Sequence, residues 1–440
     1  MPIARRALPP FRLWAWRPGW RPVLDSRLPR PRRLAPAPRR LLALLGPDTR
    51  SSAQSLVALG LNSLTSLVAG AILGSITDTF TDFPGLLVMV PAAIGLRGNL
   101  FSALGSRIST SVHLGDYRPS LAPGTVLGDN VASSMLLTAA LAPILALVAK
   151  GMYTVGRVEG SVSVLDLTTI ALVGGLLASG IVLLATLTLV ALAVRQGWDL
   201  DNLVAPAVST LGDVVTVPCL WAATFVVGRS FPTEVVALVA SVMALAAGVR
   251  GLWSARPRLR QIMRDSVPVL TLAAVLSSLA GVTLEHQLET FKRYPALLVL
   301  LPAFVSSAGA LGGLLSTSLA TSLHLGMVAP GWRPERAVRE GMRLLAVLAV
   351  PVYCFNGLGA DLTARLLGKD TPGILAMTAV SLVGAVGAVV FVLALAYFGT
   401  IAAVRFRADP DTVGVPLVTS TVDFVGAAAL ISAVKLLGIG

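Results

Sequence analysis

Apolar stretches of membrane-spanning length recur along this chain, near 53–77, 84–112, 126–149, 167–194, 203–228, 234–249, 266–284, 295–323, 343–360, 373–400 and 413–437. A hydrocarbon core about 30 Å thick takes a helix of roughly 20 apolar residues. Inside it every backbone N–H and C=O must find a partner within the protein, so only helices or closed barrels can cross. The 440 residues are 55% hydrophobic and only 13% charged, too little charge to cover a soluble protein of that length. The pattern predicts an all-α integral membrane protein of about eleven spans, with the lipid bilayer as its solvent. The segment at 234–249 is the shortest of the eleven. Cys219 and Cys354 lie inside apolar runs and read as small hydrophobes, without metal or disulfide spacing.

The chain also repeats itself. "VPAAIGLRGNLFSALGSRISTSVHLG" from Val90 returns, edited, as "LPAFVSSAGALGGLLSTSLATSLHLG" from Leu301. Pro91 pairs with Pro302, Gly98 with Gly309, Thr110 with Thr321 and His113 with His324, all at one offset (302 − 91 = 211). A second motif closes each half, "DLDNLVAPAVSTLGDVV" and "DPDTVGVPLVTSTVDFV", pairing Asp199 with Asp409, Asp201 with Asp411, Pro206 with Pro416 and Asp213 with Asp423, now 210 apart (423 − 213 = 210). Asp78 with Glu289 and Asp129 with Glu340 keep acidic character at the first offset. Five spans thus match five spans. An odd-numbered unit fused directly to its copy would be inverted, and the extra crossing at 234–249 restores its orientation. The expected architecture is two parallel five-helix repeats joined by one extra transmembrane helix, related by an axis along the membrane normal. The expected division is a basic tail (1–50), a first repeat (51–230), a linker helix and basic loop (231–264) and a second repeat (265–440).

The formal charge of +13 is concentrated in part in the Arg- and Pro-rich tail. That tail lacks an apolar stretch followed by a small-residue cleavage site, so it does not read as a signal peptide. It reads as a disordered segment held near anionic headgroups, with no nucleic-acid role. With the N-terminus in the cytoplasm, alternation gives the inner loops Arg118, Arg195, Arg250, Arg256, Arg258, Arg260, Arg264, Arg333, Arg336, Arg339, Arg343, Arg405 and Arg407. The outer loops receive fewer basic residues. The bias predicts a multi-pass cell-membrane protein with its N-terminus cytoplasmic and its C-terminus outside.

Asp213 and Asp423 carry the most chemistry. Each falls two to three turns into an apolar helix, after a proline and a run of small hydroxyl residues. A charged Asp near the bilayer centre costs about 2.5–3.5 kcal/mol and reads as functional by default. Across a pseudo-two-fold axis the two carboxylates would face each other, and two such anions repel unless a cation or a proton stands between them. Oxygen ligands without neighbouring His or Cys suit hard ions such as magnesium, calcium or manganese. Magnesium keeps much of its water, so few protein ligands are needed. Ser209 and Thr419, one turn before each Asp, can serve that hydration shell through hydroxyl or carbonyl, or can simply be small packing residues. Asn99 is a neutral oxygen donor at comparable depth. Arg97 and Arg107 flank it and would have to turn away from a cation path or pair with acids. Pro206, Pro416, Pro91 and Pro302 either free carbonyls towards a cavity or kink their helices. His113 and His324 read as interfacial residues at helix C-termini. Asp78 and Glu289 are either mouth-facing acids or ordinary solvated ones. Asp199, Asp201, Asp409 and Asp411 are explained by helix N-terminal placement, with a cytoplasmic ion-binding role as the alternative.

Together these motifs resemble the MgtE-type magnesium transport family, and within it the two-repeat relatives that include solute carrier family 41. "PAAIGLRGNLFSALGSRISTSVHLG" is similar to that family's Pro–Gly–Asn–Ser–Arg–Ser–Thr signature, and "DPDTVGVPLVTSTVDFVG" to its final helix. The resemblance covers about 51–437. It implies Asp213 and Asp423 as the central ion-site acids and Asn99 as a residue near the pore. The second repeat departs, with Ala310 opposite Asn99 and Ser318 opposite Arg107. The expected function is divalent cation transport, with Mg2+ as the transported ion or Mn2+ as an alternative, acting from a single fused chain that can oligomerise further. A proton- or sodium-coupled carrier of another solute is the competing reading. No nucleophile–base pair, metal triad or phosphate loop stands out, so no enzymatic activity is expected.

Overall fold

The computed structural model describes residues 49–156, 162–196, 200–227, 231–324, 327–329, 331–406 and 415–439. Among the described residues the secondary structure is helical throughout. We number the helices α1 (Thr49–Ser75), α2 (Thr77–Asp82), α3 (Leu86–His113), α4 (Val126–Val155), α5 (Val164–Gln196), α6 (Leu200–Thr224), α7 (Phe231–Leu252), α8 (Pro257–Glu285), α9 (Leu288–Arg293), α10 (Ala296–His324), α11 (Arg336–Leu366), α12 (Ile374–Phe406) and α13 (Val415–Leu436). Ten of them are long and apolar enough to cross a membrane. The eleventh long helix, α6, corresponds to the segment at 203–228, and the side chains of its first two turns lie outside the described residues. The chain is an all-α integral membrane protein. The short segment at 234–249 extends to the 22 residues of α7, about 33 Å at 1.5 Å per residue. It lies at the periphery, with Val236 and Met243 about two-thirds exposed.

The order α1–α6 recurs as α8–α13, and even the one-turn helices α2 and α9 match. Arg258, Arg260 and Arg264 stand in the first turns of α8, not in a loop, because Pro257 at the start of that helix needs no N–H partner and presets its backbone.

The halves are interlocked through their first helices. α1 packs on α10 and α11 of the second half, and α8 packs on α3 and α4 of the first. Each crossing depends on a glycine. A Cβ on Gly70 would overlap the Val299 carbonyl, and a Cβ on Gly281 would overlap the Val88 carbonyl. Both glycines and both valines are 211 apart (281 − 70 = 299 − 88 = 211), so one crossing occurs twice. In lipid, where burial of apolar surface does not drive helix association, such close backbone approach supplies dispersion contacts. Polar side chains reinforce the α1 crossing. Ser63 and Ser307 hydroxyls lie 3.1 Å apart, and Asn356 Nδ2 on α11 donates to Ser307 Oγ at 2.8 Å and to the Ala303 carbonyl at 3.1 Å.

The last helices of the halves are seated differently. α13 packs extensively along α8, whereas α6 packs chiefly on α3 and α5 and less on α1. Replacing Gly70 or Gly281 by Val should force α1 or α8 off its partner, lowering stability by about 1–3 kcal/mol or more. Thermal unfolding of the purified protein in detergent checks this, with a lowered midpoint expected in both variants and a larger drop in the double variant.

Candidate functional site

A cavity of about 220 Å3 lies where the two halves meet. Its walls come from α1, α3 and α6 of the first half and α8, α10 and α13 of the second. Residues from matched positions face it in pairs, among them Ala69 with Ala280, Pro91 with Pro302 and Asp213 with Asp423. The cavity therefore sits on the pseudo-two-fold relation between the repeats. Towards the end of the bundle that carries α2 and α9, its lining is apolar, with Leu73, Leu284, Leu87 and Val90. Towards the other end it becomes polar, with Asn99, Ser102 and Thr419.

Four of the five residues singled out from the sequence meet here. Asp213 and Asp423 line the same cavity. Asn99 and Thr419 join across the halves, Thr419 Oγ1 donating to Asn99 Oδ1 at 3.2 Å. The Asn99 Nδ2 is buried without a partner among the described residues. The fifth residue, Ser209, lies in α6 one turn before Asp213, and its side chain is outside the described residues. Pro91 and Pro302 both line the cavity inside unbroken helices. Pro416 stands at the second position of α13, where a missing N–H is harmless.

Arg97 turns away from the cavity. It is 5% exposed, donates to the Ala93 carbonyl, and reaches towards α5, where a Cβ on Gly175 would stand 2.7 Å from its Nη2. Arg107 Nε donates to Asn130 Oδ1 on α4 at 2.8 Å. Asp129 pairs with Arg256 at 2.9 Å, and its mate Glu340 makes a surface pair with Arg336 at 2.9 Å. Glu289 pairs with Lys292 at 2.7 Å on the surface. Asp199, Asp409 and Asp411, and the side chains of Asp201, His113 and His324, lie outside the described residues.

Two polar residues of consequence escaped sequence reasoning. Ser277 on α8 donates to Asp423 Oδ2 at 2.9 Å. Its signal was present, as a serine 211 positions after Ser66. Asp361 is a buried acid with a structural role, accepting from Arg365 Nε at 2.7 Å and from Thr371 Oγ1 at 2.6 Å. Its counterpart 211 positions earlier is Lys150, so the duplication did not mark it as an acid. Among the described residues no three His, Cys, Asp or Glu side chains come together as a metal-holding group. The cavity offers two carboxylates, an amide and hydroxyls.

The family model described as a divalent cation transporter, MgtE, matches residues 90–223 and again 301–433. Similar curated proteins are solute carrier family 41 member 2 of Xenopus laevis, 25% identical over 412 residues, covering 86% of this chain and 70% of that protein; member 2 of Gallus gallus, 25% identical over 299 residues, covering 64% and 50%; and member 3 of Mus musculus, 24% identical over 370 residues, covering 80% and 75%. The chain thus spans from half to three quarters of the length of these relatives. No solved structure matches it significantly.

The two kinds of acid should respond differently to substitution. Asp361→Ala removes an acceptor from Arg365 and Thr371 and should cost about 1–3 kcal/mol. Asp213→Asn removes a charge that faces another of the same sign, and should leave the unfolding midpoint unchanged or raise it. Both are read by thermal unfolding in detergent without divalent ions.

Proposed function

The chain belongs to the MgtE family of divalent cation transporters, and on that premise we propose that it carries magnesium across the membrane, hydrated, between Asp213 and Asp423. The observation that carries this reading is the convergence of the two matched carboxylates on one cavity at the junction of the repeats. A divalent cation between them turns their mutual repulsion into attraction on both sides. The cavity has room for an ion that keeps its shell of waters. Magnesium sheds water reluctantly and binds through one or two carboxylates plus waters.

A hydrated cation points its water hydrogens outward, so the wall around it must accept hydrogen bonds. The carboxylates do so. Asn99 does so as well with its amide turned by half a rotation. Nδ2 then donates to Thr419 Oγ1, Thr419 keeps its bond to the Pro416 carbonyl at 3.1 Å, and Asn99 Oδ1 faces the cavity. Ala310, the mate of Asn99, offers nothing equivalent, so the water-accepting wall is one-sided. Ser209 would complete the first half's share, as the mate of Thr419 (419 − 209 = 210).

One chain supplies both halves of the site, so a single copy suffices for transport. The excess of Arg on alternate loops supports a cytoplasmic N-terminus and an outer C-terminus. The apolar end of the cavity then lies towards the outside and the polar end towards the cytoplasm.

The test is magnesium flux into liposomes holding the purified chain, followed by a trapped magnesium-sensitive dye, with manganese as competitor. Flux in the parent should fall at least about ten-fold in Asp213→Asn and in Asp423→Asn, both eluting normally on gel filtration; roughly ten-fold is what removal of one charged partner commonly costs. Magnesium should also raise the unfolding midpoint of the parent and not that of either variant. Flux that survives both substitutions would make the two acids structural.

A further inference from the structure

The two carboxylates of the cavity are not held alike. Asp423 accepts a hydrogen bond from Ser277 Oγ at 2.9 Å. The Asp213 carboxylate accepts none from any described residue. Ser277 lies on α8, and its mate 211 positions earlier on α1 is Ser66. The surroundings keep that offset, with Ala69 and Ala280, Gly70 and Gly281, and Leu73 and Leu284 in register. By the relation between the halves, Ser66 occupies the place from which Asp213 would be held. Its side chain is 2% exposed and its hydroxyl has no hydrogen-bond partner among the described residues. A buried hydroxyl left unpaired is costly and calls for an explanation.

The helices carry the same asymmetry. α13 lies along α8, bringing Asp423 to Ser277, so close to α3 that a Cβ on Gly95 would stand 3.4 Å from Asp423 Oδ2 and 3.5 Å from Ser277 Oγ. α6 leans instead on α3, where a Cβ on Gly212 would stand 3.7 Å from the Gly98 amide nitrogen. At the mate of Gly95 stands Ser306, whose hydroxyl donates to Asn62 Oδ1 on α1 at 3.1 Å. The last helices of the halves thus display two seats for one element, against the first helix or away from it.

We infer that Ser66 is the positioning residue of Asp213, engaged in a second state in which α6 settles on α1 while α13 leaves α8. The inference rests on the transport reading above. Ser66 does not touch the ion; it acts through the carboxylate. In the state seen here Asp423 is fixed by its serine and Asp213 is the carboxylate at liberty to follow the ion. In the second state the roles exchange. Each serine–carboxylate bond favours one of the two arrangements, and a ligand can only bias what such differential contacts make available. Ser277 therefore bears on how tightly the ion is taken up in the present state. Ser66 bears on how readily the chain passes to the other.

The experiment is the liposome flux assay on the full chain, run over a range of magnesium concentrations so that maximal rate and half-saturating concentration separate. A lost hydrogen bond to a charged group changes an equilibrium by roughly ten-fold or more. Ser66→Ala should lower the maximal rate by about that factor and move half-saturation by less than about two-fold, whereas Ser277→Ala should move half-saturation by about ten-fold. Ser66→Cys, nearly the same size but a weak donor, should match Ser66→Ala, and Ser66→Thr should restore the parent rate. A Ser66→Ala rate equal to that of the parent, a Ser66→Thr as slow as Ser66→Ala, or both alanine variants moving the same parameter would each overturn the inference. If Asp213→Asn abolishes flux while Ser66→Ala leaves it untouched, the transport reading stands and this inference alone falls. If Asp213→Asn retains full flux, both fall.

Discussion

Two glycines, Gly70 and Gly281, let the first helix of each half lie against the backbone of the other half's third helix. Most of what is distinctive in the molecule depends on that paired approach. A lipid-exposed helix gains little by burying apolar surface, because the tails around it are equally apolar. Close backbone contact and interhelical hydrogen bonds must therefore hold the halves in register, and here they do so by exchange. Neither half is complete without a helix from its twin. The exchange also fixes where the two sixth helices can stand, since each must fit between its own third helix and its own first.

The cavity follows from that arrangement. The residues that flank the crossing, Ala69 and Ala280 with Pro91 and Pro302, are also its walls. Small side chains bring the helices together, and the proline-bearing helices α3 and α10 turn their inner faces towards the axis. Polarity is confined to the level of the two carboxylates and the side beyond them, because α3 carries Asn99 and Ser102 there. The opposite side is lined by leucines and valine.

Much of this was legible along the chain. Long apolar runs leave the backbone no alternative to helix, so the eleven segments became helices of spanning length, α6 among them. The duplication was readable because motifs at a constant offset cannot arise from turn chemistry, and it singled out Asp213 and Asp423 together. What could not be read was direction. Gly70 and Gly281 are a matched pair too, but a glycine in an apolar run does not declare which neighbour it admits. Ser277 looked like any small packing residue until α13 was seen lying along α8. Arg97 was expected to turn from a cation path, but nothing in the sequence named α5 as the helix that receives it. Asp361 had no twin to draw attention to it, and its partners Arg365 and Thr371 become significant only when the turn after α11 brings them together.

Asn99 faces the cavity and its twin position is filled by Ala310. In an assembly of two identical chains, any substitution on the axis is imposed on both walls at once, so each trial must succeed twice. Fusion of the halves removes that coupling. One wall can take up an amide while the other stays inert. The single asparagine is the mark of a site free to evolve as two unequal faces.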